Sequence, residues 1–316
     1  MATFAYTSTT TAPRTVIARR ACDCHVHIYD SRFPAAPTAK LVPPDASAAQ
    51  YRALQQCLGL QRAVLVTPST YGYDNRAMLQ GLAQLGQAAR GVAVIDGTQS
   101  DAQLLALHEA GVRGIRLNLS LGVANTLDDL QPLARRVKDL GWHIQLLMPP
   151  SLLAQIADRL RRLPVQLVFD HMGRINPGHA LRHPALRQPV FRQPAHAVLM
   201  ALLRDGLAWV KLSGGYIVSD IGRADDPDLD DLARSYIDAA PDRVVWGSDW
   251  PHATASAGMQ PMPDDALQLD RLSRWAGDAA TLERILVTNP ARLYGFAAEP
   301  THQKEKTWTH RSVSLA

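Results

Sequence analysis

Cys22-Asp23-Cys24-His25-Val26-His27-Ile28-Tyr29-Asp30 reads as a β-strand that carries two imidazoles. Alternate residues of an extended strand share a face. Asp23, His25 and His27 are therefore expected on one side, and Cys22, Cys24, Val26 and Ile28 on the other. The second face is apolar and suited to packing, while the first carries chemistry. Cys22 and Cys24 read most simply as core residues.

Working outward, a Pro/Ala-rich loop runs to about Pro44, and Asp45 or Ser47 offers an N-cap for a helix through Cys57, closed by Gly59. Residues 62–67 form an apolar run of strand length that ends in a polar loop at 68–72. Strands at 91–95, 114–118, 143–148 and 165–170 then alternate with helical stretches at 74–85, 101–110, 127–140 and 151–163. After a long Pro- and His-containing loop at 176–194 come a helix to Asp205, strands at 208–213 and 243–246 around a helix near 228–239, and helical stretches at 264–275 and 281–287. Eight strands alternating with helices specify a parallel sheet. Spread over residues 21–296 at about 35 residues per unit, they fit a single α/β domain, one (β/α)8 TIM barrel. An open doubly wound sheet is the alternative, but no GxGxxG follows the first strand. Residues 1–20 and the polar tail 297–316 are expected to be flexible segments flanking the barrel.

Composition excludes several classes. The 316 residues are 47% hydrophobic and 20% charged, with a formal net charge of +4. No basic run is interleaved with aromatics, so nucleic acid is not an expected partner. No apolar run approaches the roughly 18 residues of a membrane helix. Residues 1–20 lack the apolar core of a secretory signal. Three cysteines, two of them one residue apart, do not make a disulfide framework, and a cytoplasmic setting is expected.

In a (β/α)8 barrel the active site lies at the C-terminal ends of the strands. There the first strand offers His25 and His27, the sixth Asp170 and His171, and the eighth Asp249 and His252. The first and eighth strands are neighbours on closure, so Asp249 should face the two imidazoles. Such a group supports two chemistries. His25, His27 and Asp249 could hold one divalent ion such as Zn2+, which lowers the pKa of a bound water. Without a metal, Asp249 could act as general base on water while the histidines donate to an acyl oxygen gaining charge. Lys211, inside the seventh strand, reads as a barrel-interior residue.

Asp-Cys-His-Val-His-Ile at 23–28, Gly-Val-Arg-Gly-Ile-Arg-Leu-Asn at 111–118, Asp-His-Met-Gly-Arg at 170–174, Trp-Gly-Ser-Asp-Trp-Pro-His at 246–252 and Asn-Pro-Ala-Arg-Leu-Tyr at 289–294 resemble the amidohydrolase superfamily. Within it the likeness is to the branch of 2-pyrone-4,6-dicarboxylate and sugar lactonases. The resemblance implies a distorted barrel that opens or forms lactones. It implies Asp249 as the water-activating base, with His25, His27 and His171 polarising the carbonyl. It also implies a fifth-strand histidine in metal-dependent members, whereas that strand here reads Ile144-Gln145-Leu146-Leu147-Met148 with His143 at its start, the wrong end for the mouth, so no cofactor is the expectation and one weakly bound ion the alternative. Arg174 matches a position that can hold a carboxylate. Ser69, Tyr71, Asn118, Tyr216, His252 and Thr254 lie at strand ends or in the following loops and are candidate substrate contacts. The expected partner is a small lactone or carboxylate, acted on by hydrolysis. Isomerisation on the same site, a decarboxylase and a non-catalytic barrel are the alternatives. The sequence does not decide between monomer and homo-oligomer.

Overall fold

All eight expected strands form, and each pairs in parallel with the next: β1 (Cys22–Val26), β2 (Arg62–Val66), β3 (Ala89–Ala93), β4 (Val112–Asn118), β5 (His143–Leu147), β6 (Leu167–Phe169), β7 (Ala208–Leu212) and β8 (Val244–Trp246). The structure, a computed structural model, describes residues 3–177 and 193–297. Closure of the barrel falls to the segment after β8. There the Asp249 amide donates to the His25 carbonyl at 2.9 Å, and the His27 amide to the Trp250 carbonyl at 2.8 Å. The result is a distorted (β/α)8 barrel. β3 begins two residues before its expected start.

Helices start where the sequence supplies caps. Ser47 with Gln50 and Ser100 with Gln103 form reciprocal capping boxes, each satisfying backbone donors that a helix start leaves unpaired. The expected helix at 151–163 is two shorter ones, Pro150–Gln155 and Ala157–Arg161, separated at Ile156. Apolar residues of the strands and the inward helix faces, such as Leu54, Leu65, Leu133, Ile144 and Leu232, form one continuous core between the two layers.

The strand that opens the sequence departs from simple alternation. Asp23 pairs with Ala63, but Val26 pairs with Leu65, so β1 uses three steps where β2 uses two. The extra residue is a β-bulge, which shifts every later side chain to the opposite face. Cys22 and Cys24 consequently pack with Val64, Val66, Val92, Val168 and Val245 inside the barrel, whereas Asp23 turns outward and accepts from the Tyr51 hydroxyl at 3.2 Å on the first helix. After the bulge His25 is inside as well. The expectation that Asp23 shares a face with His25 is therefore corrected, and the chemistry stays with the histidines.

Residues 3–20 were expected to be loose, yet they are tied to the barrel. Ala5 carbonyl accepts from the Trp250 indole at 2.9 Å, Thr9 bonds Asp264 and the Asp265 amide, and the Thr15 amide donates to Asp270 at 2.8 Å. The tail beyond 297, and His179 and His183 of the 176–194 loop, lie outside the described residues.

Candidate active site

Asp249 reaches the mouth because β8 and β1 are stapled directly beneath it. The Asp23 carboxylate accepts from the Ser248 amide at 2.9 Å, the Ser248 hydroxyl at 2.6 Å and the His25 amide at 3.1 Å. Buried without a cation, Asp23 has its pKa pushed up to about 6 by desolvation, with these donors opposing the rise. Gly247 permits the close approach, since a Cβ there would lie 2.6 Å from His25 Cβ and 2.7 Å from its backbone nitrogen. Asp249 and His171 both have left-handed backbones, φ 70° and 48°. Non-glycine residues adopt that region at a cost, and such strain concentrates at functional sites.

The four residues expected to carry the reaction do converge. Asp249 Oδ1 lies 3.5 Å from His25 Nε2, 3.7 Å from His27 Nε2 and 3.9 Å from His171 Nε2. Its other oxygen accepts from the Tyr216 hydroxyl at 2.5 Å. Burial works to raise the Asp249 pKa, but the imidazoles and the Tyr216 donor prevail and hold it below the usual carboxylate value. Burial also keeps the imidazoles neutral. It drives His27 down to about 4, with the Arg116 charge adding to the effect, and lowers His25 and His171. His27 Nδ1 is 2.7 Å from the Val66 carbonyl and must donate to it, so neutral His27 presents a bare Nε2. His27 is thus an acceptor towards the cavity rather than the donor expected. His171 Nδ1 meets the Ser213 hydroxyl at 3.0 Å. Glycine at 214 makes room for this ring, because a Cβ there would sit 2.4 Å from Nδ1.

Below the imidazoles lies a charged layer. Asp170 Oδ2 accepts from Arg116 Nε at 3.1 Å and from Gln145 Nε2 at 2.9 Å. Lys211 Nζ donates to Gln145 Oε1 at 2.6 Å. All four residues are buried. Burial acts to raise the Asp170 pKa, but His25, Lys211 and Arg116 together hold it well below the ordinary carboxylate range.

Asp249, His27 and His171 line a cavity of about 130 Å³, and His25 lies fully buried behind them. Ser69, Asn118, Tyr216 and Thr254 line it as expected, and Asn118 Nδ2 donates to Ser69 Oγ at 2.7 Å. Three expected contacts lie elsewhere. Tyr71 is turned to Asp30, whose amide donates to its hydroxyl at 2.7 Å, and Tyr29 lines the cavity instead. His252 is buried against Asp265, 3.2 Å away, with its ring against Tyr216. Arg174 follows a left-handed turn at Met172 and Gly173 and is not among the lining residues. The cation that does line the cavity is Arg116, with Lys40 at its rim. Arg116 was missed because it lies inside β4 rather than after it; its two-residue spacing from Asn118 on a strand was the available signal.

His25, His27 and Asp249 place one ligand atom each within 4.8 Å of one another, and a second such group is His25, Asp170 and His171. Two imidazole nitrogens and a carboxylate oxygen are the donor types that zinc takes, so the first group fits a single ion by composition.

The comparisons with known proteins agree with this geometry. The amidohydrolase family model matches residues 22–296. The chain is 35% identical over 286 residues to the 2-pyrone-4,6-dicarboxylate hydrolase of Comamonas testosteroni, covering 87% of this chain and 90% of that protein. It is 31% identical over 288 residues to the D-galactarolactone isomerase of Agrobacterium fabrum, covering 90% and 94%. An apo crystal structure of an Agrobacterium tumefaciens protein superposes with a TM-score of 0.79 at 31% identity, covering 92% of this chain and 98% of that one. With its family model spanning the whole barrel and the strand-end residues converging on one mouth, this chain belongs to the amidohydrolase family.

Proposed function

We propose that this chain hydrolyses the ester bond of a small lactone. The observation that carries the reading is an ionised carboxylate, Asp249, whose Oδ1 faces three neutral imidazoles at the floor of a small cavity. Asp249 takes a proton from water as the water oxygen attacks the carbonyl carbon. His25, His171 and the Arg116 charge stabilise the carbonyl oxygen as it becomes negative. Collapse breaks the bond to the ring oxygen, which recovers the proton from Asp249. His27 takes part by fixing the orientation of His25 at 3.2 Å.

The reading has the chain work without a metal, supported by two resident cations, Arg116 and Lys211, and by a fifth strand that brings Gln145 rather than a histidine against Asp170. One divalent ion held by His25, His27 and Asp249 would supply a Lewis acid and a water of lowered pKa. Arg116 and Lys40 favour a lactone bearing a carboxylate, with Ser69, Asn118 and Thr254 left to read hydroxyls. Isomerisation is the second reading, favoured by the likeness to a lactone isomerase. A cytoplasmic setting is supported by three free cysteines. Among the described residues, no helix is long and apolar enough to cross a membrane.

A pH-indicator screen over pyrone, muconolactone and sugar-acid lactones tests the proposal. Hydrolysis releases one acid per turnover. Isomerisation changes the product NMR spectrum without net acid, and turnover of none of these lactones would count against the reading.

A further inference from the structure

Lys211 is a fully buried ammonium with no part in the steps above. It projects from β7 into the barrel, where Nζ lies 2.6 Å from Gln145 Oε1, 3.3 Å from His25 Nδ1 and 3.6 Å from Asp170 Oδ1. We infer that Lys211 is a positioning residue that fixes the tautomer of His25, keeping its hydrogen on Nε2 at the mouth, and so sets the site for hydrogen-bond donation and against metal ligation.

An ammonium has three donors and no acceptor. The Gln145 amide is oriented from both ends, Nε2 giving to Asp170 Oδ2 at 2.9 Å and Oε1 taking from Lys211. One donor of Lys211 goes to that oxygen, and a second meets His25 Nδ1, which must offer a lone pair. Asp170 Oδ1 competes for His25 Nδ1 at the same 3.3 Å. Arg116 and Gln145 serve Asp170 Oδ2, and among the described residues Oδ1 makes no hydrogen bond in spite of that proximity, whereas Lys211 Nζ does reach His25 Nδ1 with hydrogen-bond geometry and stands 3.6 Å from Oδ1 as its counter-charge. An N–H on Nδ1 would also stand beside the ammonium, donor against donor.

The opposite side of the ring gives the same answer independently. His27 spends its Nδ1 hydrogen on the Val66 carbonyl and turns a bare Nε2 towards His25 Nε2 at 3.2 Å. Were the His25 hydrogen on Nδ1, two lone pairs would face each other across that distance in a buried site. With it on Nε2, one continuous chain of donors runs from Lys211 to His25 to His27 to Val66. An ion ligated at His25 Nε2 would require the hydrogen to move to the side of the ammonium. In the resting site that hydrogen is held by His27 Nε2, and an incoming carbonyl oxygen beside Asp249 Oδ1, itself 3.5 Å from His25 Nε2, would take it in place of His27.

The inference rests on the lactonase reading for its use but not for its test. In nitrogen-15 NMR of the resting protein, with His25 assigned by the signals lost in His25→Gln, Nε2 is expected to be the protonated nitrogen and Nδ1 the bare one. The reverse would overturn the inference whether or not any lactone is turned over. Folded Lys211→Met is expected to shift the His25 hydrogen to Nδ1 and to bind zinc about tenfold or more tightly by chelator competition, while Lys211→Arg stays near wild type. An unchanged tautomer and zinc affinity in folded Lys211→Met would also overturn it, and the wild-type spectrum decides if that variant does not fold. On a lactone substrate, the kcat of Lys211→Met falls with KM retained; an unchanged kcat despite a shifted tautomer would overturn the positioning role.

Discussion

Tyr216 gives its phenolic hydrogen to Asp249 Oδ2 at 2.5 Å, and this leaves Oδ1 as the oxygen that meets the three imidazoles. One oxygen of the carboxylate is thus held by Tyr216 and the other is turned to the imidazoles. Removing the Tyr216 hydroxyl takes away a donor that helps hold the Asp249 pKa down. Because the proposed base, Asp249, works in its ionised form, the acidic limb of kcat/KM should move to higher pH in Tyr216→Phe. A hydrogen bond to a charged group contributes about 1.5–3 kcal/mol, so kcat should fall about 10- to 100-fold. A pH–rate profile checks both, and an unmoved acidic limb would argue that Tyr216 serves only the pocket wall.

Arg116 joins Asp170 beneath the quartet and lines the cavity above it. In Arg116→Met the cavity loses its buried cation, and kcat/KM on a carboxylate-bearing lactone should fall about 100-fold, the scale of one lost charge-assisted contact. A neutral lactone should suffer less. Steady-state kinetics on a matched pair of substrates, differing only in the carboxylate, reads the difference; equal losses would remove Arg116 from carboxylate recognition.

His252 was expected at the substrate and instead is buried with Asp265 at 3.2 Å. Burial opposes its charge, but Asp265 overcomes this and raises the His252 pKa above its ordinary value. A raised folded-state pKa stabilises the fold below the unfolded value, and that contribution disappears as pH rises through the folded-state pKa. The Tm advantage of wild type over His252→Gln should therefore be larger near about pH 6 than near about pH 9. Thermal unfolding at both values tests the sign, and an advantage that grows with pH would contradict it.

Much of this was legible in the sequence because it is local. Alternating apolar runs and capped helices mark the eight βα units, and His25, His27, His171 and Asp249 each stand at or just past a strand end. The face of β1 was not legible: one inserted residue between Asp23 and Val26 reverses the alternation without changing composition. Arg116, Gln145 and Lys211 were harder for a related reason. They lie within strands whose neighbours are apolar, and only the closed barrel brings them to Asp170. Tyr29 lines the cavity where Tyr71 was expected, because the fold of the loops decides which ring turns inward.

His25, His27 and Asp249 fit a zinc ion by composition, while the cations beneath them oppose one. Purified protein should carry well below one equivalent of zinc by elemental analysis, and prolonged chelation should leave lactone turnover intact. One firmly held equivalent whose removal abolishes turnover would replace the metal-free mechanism.

The central claim is that Asp249 is the base that activates water. Asp249→Asn keeps the size of the side chain and an oxygen for Tyr216, but it cannot accept the proton. Measured by acid release on the best lactone of the screen, with folding verified by circular dichroism, kcat should fall by at least about 10³-fold, at the scale of general-base catalysis. A folded Asp249→Asn protein that hydrolyses the lactone at the wild-type rate would contradict the account.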